Sequence, residues 1–185
     1  MNKNIVILQF SARPTGNSSA ISNRIKDYYT TENVQIFTID NNIITSCGNC
    51  DYECLRPESV CPNVTSQQTR IMDTTIQADK VFFVIPNYCG FPCANYYAFN
   101  ERMVGYFNLD RSKQSRYISV EKHFIIISNT EGSNFEKAVQ QHVSEKPDIL
   151  YLKTRQYQVN SISGDLMKSE SAQKDLQNYL ALLNI

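Results

Sequence analysis

Five short apolar runs, separated by stretches with the helical period, constrain this chain more than any other feature. Ile5-Val6-Ile7-Leu8 is rich in β-branched residues, as a strand buried on both faces of a parallel sheet must be. Residues 81–85 (VFFVI), 124–127 and 149–152 repeat the pattern, and 34–39 alternates Val34, Ile36 and Thr38 against Gln35, Phe37 and Ile39, which also suits a strand. Between them, Ile21, Ile25, Tyr28 and Tyr29 share one side of a helix predicted over 18–29. Further helices are predicted over 67–78, 94–106, 135–143 and 169–183, with Pro147 halting the fourth. Residues 108–119 are polar and read as a surface connection, and about 41–66 as an irregular, cysteine-rich loop.

Strands alternating with helices predict an α/β fold whose mainly parallel sheet is covered by helices on both faces. Five strands suit the flavodoxin-like three-layer sandwich, sheet order 2-1-3-4-5, better than the six-stranded dinucleotide fold. The length of 185 residues fits one domain, 1–185. A chain of that size buries roughly 70% of its unfolded surface, so folding requires neither disulfide nor metal.

Charge excludes some partners. Lys plus Arg and Asp plus Glu are both 18, giving a formal charge of zero, which argues against an electrostatic footprint for nucleic acid or an anionic membrane and leaves only a local patch open. The opening MNKNIVILQFSARP has the character of a first strand, lacking the longer apolar core of a signal peptide. No run approaches the ~18 apolar residues of a membrane span. A cytoplasmic protein with reduced thiols is the expectation.

Glycine is scarce, at six residues, so its placement is informative. Gly16, Gly90 and Gly132 follow the first, third and fourth predicted strands, which lie side by side in a 2-1-3-4-5 sheet and flank its switch point. Gly48 lies in the cysteine loop, and Gly105 and Gly164 elsewhere. Glycine also simply marks turns, and that reading stays open. The first loop, 11–19, is dense in hydroxyls and leads into a helix start, where free N–H groups and the helix dipole favour a phosphate. Ser18 or Asn17 as an ordinary N-cap is the alternative. Neither G-x-x-x-x-G-K-[ST] nor G-x-G-x-x-G is present, which argues against a nucleoside triphosphatase and a full dinucleotide site here.

These residues carry a resemblance. S-x-R-x-x-x-N-S after the first strand resembles the phosphate loop of the flavodoxin-like NAD(P)H-dependent FMN reductases. VFFVIPNYCGFPCANYYAFNER resembles that family's third-strand segment, and SNTEGSN stands where its third flavin loop lies. The likeness spans about residues 3 to 145. It implies an FMN phosphate held by Ser11, Arg13, Asn17, Ser18 and Ser19. Pro86, Asn87, Tyr88, Cys89 and Gly90 would run along the isoalloxazine, and Ser128, Asn129, Thr130, Glu131 and Gly132 would close the far side. It also implies a homodimer or homotetramer. Isoalloxazine is flat and largely apolar with a polar edge, so it needs an aromatic wall and backbone amides. Tyr88 as that wall, or Tyr88 packed on the sheet edge, are both open.

Four thiols, Cys47, Cys50, Cys54 and Cys61, fall within fifteen residues. Within the same superfamily they resemble the motif of the iron–sulfur flavoproteins, which implies a [4Fe–4S] cluster, though three residues rather than two separate the second and third cysteines. Zinc on the same four thiolates, or free thiols, are the alternatives. Cys89 and Cys93 read as small buried residues, with a redox partner of a flavin as the alternative. His123 and His142 read as solvated or capping. The resemblance implies an oxidoreductase that takes hydride from NAD(P)H onto FMN and reduces a quinone, free flavin or other small acceptor. An iron–sulfur electron-transfer flavoprotein and a flavodoxin-like carrier without NAD(P)H activity are the alternatives. The neutral charge disfavours the carrier, which would dock through an acidic face.

Overall fold

The computed structural model describes residues 2–40, 42–44, 46–48, 50–56, 60–108, 110–129, 134–160 and 162–183. Its strands are β1 (Asn4–Gln9), β2 (Asn33–Thr38), β3 (Lys80–Tyr88), β4 (Phe91–Pro92), β5 (Glu121–Ser128) and β6 (Asp148–Lys153). Its helices are α1 (Asn17–Tyr28), α2 (Gln67–Thr75), α3 (Ala94–Asn108), α4 (Arg111–Ser119), α5 (Phe135–Gln140) and α6 (Glu170–Leu182), with 3₁₀ turns at Glu53–Leu55 and Asp165–Lys168. The sheet runs β2-β1-β3-β5-β6, all parallel, with β4 folded back antiparallel on the end of β3. Setting that two-residue strand aside, the order is the 2-1-3-4-5 expected of a flavodoxin-like fold.

Strand periodicity divides the core into two. In β1, Ile5 and Ile7 face one side with Ile21 and Ile25 of α1 and Leu176 and Leu180 of α6. Val6 and Leu8 face the other, with Ile71 and Met72 of α2, Phe99 of α3 and Val139 of α5. β3 splits likewise, Phe82 and Val84 against Val81, Phe83 and Ile85, all fully buried. Continuous apolar runs and a doubly covered parallel sheet are thus the same fact.

Residues 108–119 depart from expectation. Most of them form α4, capped by Asp110 Oδ1 accepting from the Ser112 amide at 2.9 Å. Tyr117 is the one buried residue of that helix, so no apolar stripe announces it in the sequence. Among the described residues no helix is long and apolar enough to cross a membrane.

Candidate functional site at the carboxyl edge of the sheet

Parallel register brings the ends of β1, β3 and β5 to one edge. Gln9 pairs with Val84 and Pro86 with Ile127, so the loops that follow all open on the same side. β3 outruns β1 there. Phe10 N donates to Val84 O at 3.0 Å, which makes Pro86, two residues on, the next position facing β1. No paired strand remains on that side, and the missing proline N–H costs no ladder bond.

The first loop turns at Arg13-Pro14-Thr15-Gly16, closed by Gly16 N donating to Arg13 O at 3.2 Å. Gly16 then stands at the N-cap of α1, with no side chain capping the turn and no acidic residue within it. The first N–H groups of the helix therefore have no acceptor from a cap. Asn17 and Ser18 are buried, Ser11 nearly so, Ser19 is half-buried and Arg13 exposed. Asn17 has a second task that the sequence does not show. Its Oδ1 accepts from the Leu166 amide at 3.0 Å, tying the loop to the distant Asp165–Lys168 turn. Its Nδ2 is buried without a hydrogen-bond partner, a donor with nowhere else to go.

Gly164 belongs here too. At φ +69 it lies against the start of α1, and a β-carbon on it would sit 3.3 Å from Ala20 Cβ and 3.4 Å from Thr15 O. A groove of about 340 Å³ runs along this seam, lined by Thr15, Gly16, Ser19, Ser163 and Gly164 among others. Sequence reasoning placed Gly164 elsewhere, because nothing local marks a contact with a loop so far away in the chain.

The second loop is a hairpin. Asn87 pairs with Pro92 and Tyr88 with Phe91, around Cys89 at φ +54 and Gly90 at φ +88. Two consecutive positive φ angles are the signature of a type I′ turn, whose twist matches that of the strands. Asn87 anchors it, donating Nδ2 to Ser128 Oγ at 2.6 Å and accepting Gly90 N at 2.9 Å. Tyr88 is 55% exposed and Phe91 50% exposed, so Tyr88 does not pack on the sheet edge. Directly opposed residues of an antiparallel pair share a face, which makes Phe91 a second ring beside Tyr88. Phe91 was not among the expected site residues. A strand of two residues gives no periodicity to find it by.

On the third loop, Ser128 is buried on Asn87, and Asn129 Oδ1 accepts from Thr154 Oγ1 at 2.7 Å. Thr130, Glu131 and Gly132 lie outside the described residues. Asn134 returns to the site, its Nδ2 lying 3.6 Å from where a β-carbon on Gly90 would be. Cys93 is buried, its thiol donating to Phe10 O at 3.3 Å, and burial pushes its pKa up. Cys89 is exposed at the hairpin tip, which corrects the expectation that both are small buried residues.

The four-thiol loop does not assemble as expected. Cys54 and Cys61 pack over Gly105 of α3, while Cys47 is exposed and its amide donates to Glu101 Oε2 at 3.2 Å, about one turn away. Burial raises the pKa of both Cys47 and Cys54, and the neighbouring thiols Cys50 and Cys61 add to the rise. Among the described residues no three His, Cys, Asp or Glu side chains gather as metal ligands. Among the described residues Cys47, Cys50, Cys54 and Cys61 are therefore not gathered as a [4Fe–4S] or zinc site.

Both histidines are buried, against expectation. His123, 5% exposed, bridges Glu121 at 2.7 Å and Asp148 at 2.8 Å at the opposite, amino edge of the sheet. His142 is fully buried between Tyr96 and Tyr117. Neither reaches the carboxyl edge.

No protein-family model and no curated protein matches the sequence. Solved structures do match in three dimensions. The Trp repressor binding protein from Bacillus subtilis superposes with a TM-score of 0.61 at 13% identity, covering 96% of this chain and 97% of its own. The azoreductase from Bacillus anthracis superposes with 0.61 at 12%, covering 100% and 99%. The flavoenzyme NAD(P)H:(acceptor) oxidoreductase from Paracoccus denitrificans gives 0.57 at 10%, covering 97% and 96%. At such identities the likeness is one of fold, and it agrees with the strand order: the chain is a flavodoxin-like α/β protein.

Proposed function

We propose that this protein is an FMN-dependent oxidoreductase that takes hydride from NAD(P)H and passes electrons to a quinone, free flavin or other small acceptor. The observation that carries the reading is the start of α1. An uncapped helix N-terminus free of acidic residues, with the buried, partnerless Nδ2 of Asn17 beside Ser18, has the donors for a phosphate. The adjacent hairpin adds two exposed rings for a flat aromatic group, and three loops converge where open α/β sheets bind ligands. Similarity in fold to solved azoreductase and NAD(P)H:(acceptor) oxidoreductase structures supports the same reading.

When bound, FMN would supply the hydride- and electron-transfer chemistry, and the hydride step requires no side chain of this chain as acid or base. The protein binds and orients. Ser11, Ser18, Ser19 and the α1 amides hold the phosphate end, with Asn17 Nδ2. Tyr88 and Phe91 wall one side of the ring, and Gly90 allows backbone approach without a β-carbon in the way. Asn87, locked to Ser128, fixes the hairpin against the third loop. The exposed rings beside the site, with Tyr97 and Val104 on α3, give a second copy apolar surface to cover, consistent with a homodimer or homotetramer.

The test is anaerobic addition of NADH or NADPH to FMN-reconstituted protein, followed by a quinone. Bleaching of the visible flavin band, then recovery on adding quinone, is the expected result. A bound flavin that neither nucleotide bleaches would leave a carrier, not a reductase.

A further inference from the structure

Among the described residues the cysteine segment builds no metal cage, yet it brings two sulfurs together. Gly105 forms a notch in α3: the point its β-carbon would occupy lies 3.5 Å from Cys54 Sγ and 3.5 Å from Cys61 Sγ. Both cysteines are free and partly buried. Their backbones are held independently. Cys54 O accepts from Asn108 Nδ2 at 3.3 Å, and Cys61 O from the Val64 amide at 3.0 Å. Beside Cys61 lies a cavity of about 20 Å³, lined also by Gln68, Met72, Arg102 and Tyr106. That is room for about one water-sized molecule. It has a polar wall, since Gln68 is 2% exposed and its Oε1 is buried without a hydrogen-bond partner.

We propose that Cys54 and Cys61 are a redox pair which a hydroperoxide converts to a reversible disulfide, closing a loop within this segment where it packs over α3. One thiol attacks the peroxide, breaking the O–O bond and giving a sulfenic acid and water. The second thiol then displaces the sulfenic oxygen, forming the S–S bond and a second water. Two thiols and one hydrogen peroxide thus give one disulfide and two waters, the sulfurs losing two electrons to the peroxide oxygens. A dithiol reductant reverses it. The pair requires neither flavin nor metal, so it stands whether or not the FMN reading does.

The experiment treats the whole reduced protein with a small excess of hydrogen peroxide, counts free thiols, and maps peptides without reduction. Glu-C cuts after Glu58, between the two cysteines, so a disulfide joins two otherwise separate peptides. The expected result is loss of two of the six thiols, a Cys54–Cys61 link, and full recovery with dithiothreitol. With Cys54→Ser the link disappears and Cys61 is instead trapped by dimedone as sulfenic acid. Retention of all six thiols, pairing of either cysteine with Cys47 or Cys50, or a disulfide between two chains would each overturn the proposal.

Discussion

Tyr96 donates its hydroxyl proton to Ala138 O at 2.6 Å, which leaves its oxygen to accept from His142 Nε2 at 2.8 Å. Tyr117 must then donate to Nδ1, at 2.6 Å, and the imidazole is the neutral Nε2–H tautomer. Burial, aided by the charge of Lys122, pushes the His142 pKa down from 6.5 to about 3. The unfolded chain therefore binds this proton first, and the stability it withholds is lost as pH falls from 6.5 toward about 3. Urea midpoints at about pH 7 and about pH 5 should drop further for the parent than for His142→Gln. Equal drops would mean His142 takes up its proton without unfolding. Asn17 offers a second test, because its two amide atoms have separate tasks. Asn17→Asp keeps an acceptor for the Leu166 amide and suits the helix N-terminus, but replaces the free donor with a negative charge. The fold should survive while FMN affinity falls by about tenfold to a hundredfold, the worth of one charge-assisted hydrogen bond. Unchanged affinity would remove Asn17 from the phosphate site. The sequence marked Asn17 and Ser18 through the hydroxyl-rich loop. The buried histidines stayed hidden because their partners, Tyr96, Tyr117, Glu121 and Asp148, belong mostly to other elements.

Elements with an apolar stripe or run were legible, and those without one were not. β1 and β3 follow from their β-branched and aromatic runs, whereas α4 buries one residue and β4 is two residues long. The β3–β4 hairpin carries a local cost, since Cys89 adopts a left-handed conformation that asparagine tolerates better. Cys89→Asn should raise stability by up to about 1 kcal/mol in denaturant titration, and a loss would show that the thiol is needed where it stands. On α3, a β-carbon at Gly105 meets Cys54 and Cys61 only at ordinary contact distances of 3.4 to 3.5 Å. Gly105→Ala should therefore stabilise, by about 0.5–1 kcal/mol through helix propensity. Destabilisation by that change would mean the cysteine segment packs on the helix more tightly than these distances indicate.

At the scale of the molecule, five parallel strands in the order read from the sequence put three loops at one edge, and scarce glycine pointed to two of them correctly. Gly16 starts α1, and Gly90 completes the hairpin turn. Gly164 also marks a close approach, but between parts distant in sequence, where spacing carries no signal. The cysteine motif is open for a related reason: short spacing permits four thiolates to converge without requiring it, and Cys54 and Cys61 are the two that pack together over Gly105. The central claim is that the carboxyl edge holds FMN by its phosphate, and parallel fluorescence titrations with FMN and riboflavin test it directly. Quenching at one FMN per chain, with affinity at least about tenfold above that for riboflavin, is the predicted result. Absence of FMN binding, or equal affinity for riboflavin, would contradict it.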